Sequence, residues 1–347
     1  MTQTFGYWDH IQEYEVDPSW RDRWTDAYQT YRAKFEAAKQ MQYLGDFPLS
    51  LEIESSYYCN LECPFCSRAV LGEKRPNRHM AEEVWQCILQ EAKAYALPSI
   101  LMDHEAEALM NKRLTAMVGE AHDAGILDIW LHTNANLLTS ARSRELITNG
   151  LTRINFSVDA VTSATYDKVR TGGNFERVTA NIHEFLRLKR DLNATNLRVR
   201  LSFVVTKDNL SEKRAFLDQW SAVPGVNVIT FQECQDFSAF ADLEDSHKLS
   251  DNPLPEQCSR INFSCSLLWE MPVIDVDGNV IPCGAPVRSH NSEFILGNLL
   301  LGDTIASCWR GEKMERLRAL HQAGQWYKEP TCLACIRSSG ILTDPPA

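Results

Sequence analysis

The chain has 347 residues, 44% of them hydrophobic, and a formal net charge of −11. That is enough apolar material for one barrel-sized core plus an appendage, and the acidic balance excludes nucleic acid as the main partner, since phosphate backbones are held by clustered Lys and Arg. No apolar run approaches membrane-helix length and the start, MTQTFGYWDH, lacks a signal peptide's basic-then-apolar pattern.

A cytoplasmic, reducing location without a membrane partner is therefore expected, and a neutral or cationic small molecule is the easier substrate. In that compartment eleven cysteines point to metal rather than disulfides. Residues 1–48 form an N-terminal extension in which Trp20, Trp24, Tyr28, Tyr31 and Phe35 recur at steps of three or four. This helical spacing predicts an amphipathic helix covering one end of the core.

From residue 49 to about 240, strand-like and helix-like segments alternate, which predicts parallel βαβ units. SLEIES is the first strand and AEEVWQCILQEAKAYA the first helix, with Cys87 among its apolar positions as a core residue. PSILMD, DIWLHT, TRINFSVD, LRVRLSFVV and VNVITFQE are strands two to six, with helices starting near Lys112, Thr139, Phe175 and Ser211. Six such units predict an α/β fold, a partial (β/α)6 barrel with its chemistry at the C-terminal strand ends.

The loop after the first strand, YYCNLECPFCSRAV, holds Cys59, Cys63 and Cys66 in the spacing Cys-x3-Cys-x2-Cys. Structural zinc wants four ligands, and no fourth Cys or His lies in the loop. An iron–sulfur cube held by three thiolates keeps one iron open for chemistry.

Past residue 240 the rhythm stops at the polar connector AFADLEDSHKLSDNPLPEQ, and residues 241–347 make a second, small α+β unit. It contains Cys265, Cys283 and the pair Cys332-x2-Cys335, with VIDVDGNVIPC as a hairpin turning at Asp277–Gly278. Cys308, beside Trp309, reads as packing.

The cysteine loop, with Phe65 before the third ligand and a strand leading into it, resembles that of the radical S-adenosylmethionine (SAM) superfamily. The resemblance implies that SAM chelates the open iron and is cleaved by one electron to a 5′-deoxyadenosyl radical, which abstracts hydrogen from substrate. It implies a flavodoxin- or ferredoxin-like electron donor and assigns SAM contacts at the strand ends. Glu107 stands at the acidic position of the family's Gly-Glu-Pro motif, though alanines flank it, and His104 or Glu105 could share its role. Asn134 matches the Thr-Asn-Gly turn, Ser157 and Asp159 the ribose-contacting strand end, Arg170 the arginine that meets the SAM carboxylate, and Val205 the backbone that pairs with adenine.

The C-terminal spacing resembles SPASM and twitch extensions, which implies one auxiliary 4Fe–4S cluster on Cys265, Cys283, Cys332 and Cys335. A zinc ribbon on the same four residues is the competing reading. Two fates are open to the substrate radical. Loss of an electron and a proton would oxidise a carbinol carbon of a sugar or aminocyclitol, as in twitch-type aminocyclitol dehydrogenases. Hydrogen return from a thiol, with Cys258 or Cys234 as donor, would epimerise it. The base that sulfatase-maturating relatives place after the ligand equivalent to Cys283 is replaced here by Gly284. A peptide-modifying epimerase or maturase is the alternative, and a two-cluster electron carrier or redox sensor the alternative of another class.

Overall fold

The computed structural model describes residues 11–70, 76–235, 263–284 and 292–338. In chain order, β1 (Ile11–Glu15) and α1 (Asp26–Lys39) precede β2 (Ser50–Ile53), α2 (Ser67–Val70), α3 (Glu82–Ala94), β3 (Ser99–Leu101) and α4 (Leu114–Asp123). Then come β4 (Asp128–Thr133), α5 (Ser140–Thr148), β5 (Arg153–Ser157), α6 (Ser163–Val169), α7 (Phe175–Asp191), β6 (Arg198–Val205), α8 (Lys213–Ser221) and β7 (Val228–Glu233). The C-terminal unit contributes α9 (Leu267–Glu270), β8 (Val273–Ile274), β9 (Asn279–Ile281), β10 (Gly297–Asn298), α10 (Ile305–Trp309), α11 (Glu312–Gln322) and α12 (Pro330–Ser338).

Strands β2 to β7 pair in parallel, neighbour to neighbour, as a six-stranded partial barrel, and β2 to β6 are each followed by a helix that packs on the sheet. Period-two alternation decides what each strand offers to either side. On β6, Val199, Leu201, Phe203 and Val205 are buried beneath the helices, and Arg200, Ser202 and Val204 face the hollow within the sheet. On β4, Ile129 and Leu131 are buried outward while Trp130 and His132 line the hollow. The interior of the barrel is therefore polar and open, and the hydrophobic core lies between sheet and helices. Helix α3 supplies Val84, Trp85, Ile88 and Leu89 to that core, at the spacing an amphipathic helix needs.

The N-terminal segment does more than the expected helix. Its strand β1 adds antiparallel to the edge of β7, with Ile11 opposite Gln232. Helix α1, N-capped by the Thr25 hydroxyl, lies across the foot of the barrel, where the Tyr31 hydroxyl donates to Asp128 Oδ2 at 3.2 Å. Asp128 also accepts from Arg153 Nε at 2.8 Å. Tyr31 and Ala38 of α1 then join Leu267, Trp269, Met314 and Leu317 in a second apolar core.

The C-terminal unit is joined to the barrel through the sheet. Strand β8 pairs in parallel with β2 and antiparallel with β9, so the described strands form one ten-stranded sheet in the order β1-β7-β6-β5-β4-β3-β2-β8-β9-β10. The β8–β9 turn falls at Gly278, whose φ of +79° suits a residue without a Cβ. Among the described residues no disulfide joins any of the ten cysteines. Cys308 is buried and Cys87 packs against the barrel core. Among the described residues no helix is long and apolar enough to cross a membrane.

Candidate active site

The loop carrying Cys59, Cys63 and Cys66 leaves the C-terminal end of β2 and is held by backbone hydrogen bonds. Glu62 N–H donates to Thr171 O at 2.9 Å, Glu107 N–H to Tyr58 O at 3.1 Å and Cys66 N–H to Cys63 O at 3.1 Å. The three cysteines lie on the wall of a cavity of about 940 Å³ that also takes in Phe65, Glu107, Asn134, Ser157, Arg170 and Val204. Ligand pockets commonly span roughly 300–1,000 Å³, so this one is large enough for a nucleoside cofactor and a small second molecule.

Arg170 is the hinge of the cysteine side. Its Nη1 lies 3.8 Å from Cys63 Sγ, its guanidinium stands 5.6 Å from the Phe65 ring centroid, and its Nη2 pairs with Asp159 Oδ2 at 2.5 Å. Asp159 is fully buried behind Arg170, and its Oδ1 accepts from Val204 N–H at 2.7 Å. It thus orients Arg170 and the end of β6 from behind the wall. Val205 points outward into the core, with Val204 on the cavity side.

Glu107 is buried at the end of β3 and accepts three hydrogen bonds, from Thr133 Oγ1 at 2.7 Å, Asn134 N–H at 2.8 Å and Leu109 N–H at 3.2 Å. Burial pushes its pKa up to about 7 although those bonds oppose the rise. Asn134 in turn donates to Asn60 Oδ1 at 3.0 Å, tying the β4 turn to the cysteine loop. The next residue, Ala135, has φ +58°, the left-handed conformation that the family's glycine adopts at no cost.

Cys234 follows β7, its thiol donates to Gln235 O at 3.4 Å, and it is not among the described residues that line the cavity. Cys258 lies outside the described residues.

Sequence reasoning named His104 and Glu105 but missed the Glu52 partner of His104 and a second polar chain on the same wall. His104 pairs through Nδ1 with the buried Glu52 of β2, and its Nε2 lies 3.6 Å from Glu105 Oε1. The Glu52 carboxylate also fills the space beside Gly284, where a Cβ would meet Glu52 Oε2 at 2.7 Å. The second chain is Asp103–His132–Arg200, with His132 Nδ1 3.1 Å from Asp103 Oδ2 and His132 Nε2 3.0 Å from Arg200 Nη2.

The other four cysteines meet elsewhere. Cys265 before α9, Cys283 after β9, and Cys332 and Cys335 one turn apart on α12 surround a mostly apolar space of about 20 Å³ with Leu267, Leu268 and Phe294. His321 of α11 closes it. Its Nδ1 accepts from Cys265 N–H at 3.0 Å, which leaves the proton on Nε2, 3.4 Å from Cys332 Sγ. Burial lowers its pKa to about 4, so the ring is neutral. Burial raises the thiols of Cys265, Cys332 and Cys335 well above their usual range, and neighbouring cysteines add to the shift.

Family models match this layout, with the radical SAM superfamily over residues 53–208 and an iron–sulfur cluster-binding domain, SPASM, over residues 265–336. The chain carries a radical SAM domain followed by a SPASM domain. Among curated proteins this radical SAM chain is 29% identical over 179 residues to a probable GTP 3′,8-cyclase of Saccharolobus islandicus, across 52% of its own length and 54% of the relative's. It thus spans about half the length of the cyclases of this kind that it matches. It is 26% identical over 314 residues to the PqqA peptide cyclase of Bradyrhizobium diazoefficiens, covering 83% of this chain and 78% of that one. Among solved structures, native anSMEcpe with bound AdoMet superposes with a TM-score of 0.60 at 16% identity, over 79% of this chain and 84% of that one.

A radical SAM domain carries a 4Fe–4S cluster and SAM, and a SPASM domain an auxiliary iron–sulfur cluster. The residues present fit those groups. Cys59, Cys63 and Cys66 would hold the first cluster beside a cavity with room for SAM. The other four thiols supply a complete set of soft ligands in an apolar enclosure, a set that suits zinc as well as iron–sulfur, and the match to an iron–sulfur cluster-binding domain over residues 265–336 decides for the cluster.

Proposed function

We propose that the protein abstracts a hydrogen atom from a carbinol C–H of a small hydroxylated substrate and oxidises that carbon. The observation that carries this reading is the lining of the barrel. His132, Asn155, Ser157, Ser202, Thr230 and Gln232 turn donors and acceptors inward where a substrate can stack beneath the cofactor. When bound, the clusters and SAM supply hydrogen-atom abstraction and one-electron chemistry, with electrons delivered by a flavodoxin- or ferredoxin-like donor.

The chain's own part is to orient the substrate and accept a proton. His104 lines the cavity with Glu52 at its Nδ1 and Glu105 Oε1 3.6 Å from its Nε2, and these carboxylates would stabilise the imidazolium formed when the substrate hydroxyl gives up its proton to this cluster. Glu52 lies beside Gly284, the position where a proton acceptor was sought in the sequence, and on this reading the base comes from β2 and the end of β3 instead. Cys234, turned to Gln235, is less well placed for the epimerase route. A second reading, modification of a peptide, is favoured by the match to a peptide cyclase over 83% of the chain.

The test is anaerobic incubation of the reconstituted, reduced protein with SAM. Formation of 5′-deoxyadenosine is expected, and its absence would favour the electron-carrier alternative. A substrate deuterated at the carbinol carbon should pass its label to 5′-deoxyadenosine. Deuterium uptake from heavy water into an otherwise unchanged product would instead mark an epimerase.

A further inference from the structure

Four arginines of the barrel proper stand on or beside its inward face, and three of them have a carboxylate; Arg68, after the cysteine loop, also lines the cavity and donates to Asn77 Oδ1 at 2.8 Å. Arg153 pairs with Asp128 at 2.5 Å, Arg170 with Asp159 at 2.5 Å and Arg198 with Glu13 at 3.1 Å. Arg200 differs. Its Nε donates to Asn155 Oδ1 and its Nη2 to His132 Nε2, both at 3.0 Å, and both acceptors are uncharged. The tautomer of His132 is fixed from behind, because Asp103 Oδ1 accepts from His132 N–H at 2.5 Å and its Oδ2 lies 3.1 Å from Nδ1. The ring therefore presents a lone pair to Arg200. Asp103 spends both oxygens on His132, and an imidazole separates its charge from the guanidinium.

Among the described residues no carboxylate forms an ion pair with Arg200, although it lines the large cavity. A partly buried charge without a counter-ion is costly, and proteins normally pair such charges. Burial, followed by repulsion from Arg198 and Arg153, lowers the Arg200 pKa to about 9, the direction expected when the local counter-charge is insufficient. Nη1 and the second Nη2 proton remain for a ligand, and a guanidinium fork matches a carboxylate or a phosphate.

We propose that Arg200 anchors an anionic group, carboxylate or phosphate, of the substrate. Arg200 pairs in register with Asn155, and Ser202 with Ser157. The anchor thus sits two residues, about 7 Å, deeper than the serine layer below the SAM-contacting strand ends. The negative net charge of the chain favours a cationic ligand only at long range, and the charge at the cavity floor opposes one.

This assignment rests on the cavity being the substrate site, so its test reads binding rather than turnover. The anaerobically reconstituted, SAM-loaded protein is titrated calorimetrically with inorganic phosphate and, separately, with acetate, as wild type, Arg200→Gln and Arg200→Lys. At least one anion should bind the wild type, about tenfold or more weakly in Arg200→Gln, with Arg200→Lys between them because it keeps charge but loses the fork. The preferred anion separates a phosphorylated from a carboxylated substrate. Failure of both anions to bind the wild type, or equal binding by wild type and both variants, overturns the assignment. Should Arg200→Gln not fold, the wild type and Arg200→Lys still decide it. Loss of 5′-deoxyadenosine formation by the wild type would instead sink the underlying enzymatic reading, whatever the anions do.

Discussion

At the end of β2 three thiols border a hollow of about 940 Å³ with polar walls, whereas four thiols in the C-terminal unit close on an apolar space of about 20 Å³. The first set has Arg170 3.8 Å from one sulfur and a cavity beyond; the second has a neutral imidazole bridging two of its members. Ligand count and enclosure vary together. An incomplete set of thiolates is useful only where another molecule can reach the open position, and a complete set is best kept dry.

The largest effect that can break this contrast comes from the cysteines. Cys63→Ala, or the same change at Cys59 or Cys66, should abolish 5′-deoxyadenosine formation. Cys332→Ala should keep it while the protein loses about half its iron, as two four-iron clusters become one. Equal loss of the nucleoside product in both variants would show that the two sites are not functionally separate.

Next in size is the buried pair behind the open site. Asp159→Asn leaves Arg170 without its partner, and unfolding in denaturant should show a loss of about 3–5 kcal/mol. A change below about 1 kcal/mol would mean that the guanidinium finds another partner and that Asp159 is not what orients it.

Glu107 gives a pH test on the same side. The native carboxyl keeps its proton up to about pH 7 while the reference carboxyl titrates at 4.5. The native state binds more protons in that window, so the cofactor-free protein should lose stability as pH rises through it. The loss is at most about 3 kcal/mol. Glu107→Gln should flatten the slope; an unchanged slope assigns it to another group.

On the closed side, His321→Leu removes an N–H donor from Cys332. Donation to a ligand sulfur favours the reduced cluster, so the auxiliary potential should fall in spectroelectrochemistry while the first cluster keeps its own. His321→Gln, which can still donate, should shift it less. The smallest effect is expected at the β4 turn, where Ala135→Gly relieves a left-handed alanine and should raise stability by roughly 0.5–1 kcal/mol.

The cysteine spacings and the alternation of strands and helices were readable because each is a local pattern. LRVRLSFVV, for instance, announced β6, and the hairpin at Asp277–Gly278 formed as read. The functional meaning of Arg198 and Arg200 was not readable, since charged residues at alternate positions of a strand look the same whether they face solvent or a cavity. Partnership was equally hidden. Glu52 meets His104 across 52 positions and Arg200 meets His132 across 68, and nothing local in either segment specifies the other. The strand IQEYE escaped because its charges fit an exposed edge as well as a loop.

Strand β2 hydrogen-bonds to β3 on one side and to β8 on the other, and the three-cysteine loop leaves its end while the β8–β9 hairpin leads directly to Cys283. The three-cysteine loop and Cys283 therefore hang from one backbone ladder that is unbroken among the described strands. Clusters held at these two points would keep a tunnelling gap set by that ladder, so that gating by substrate would act on driving force rather than on distance.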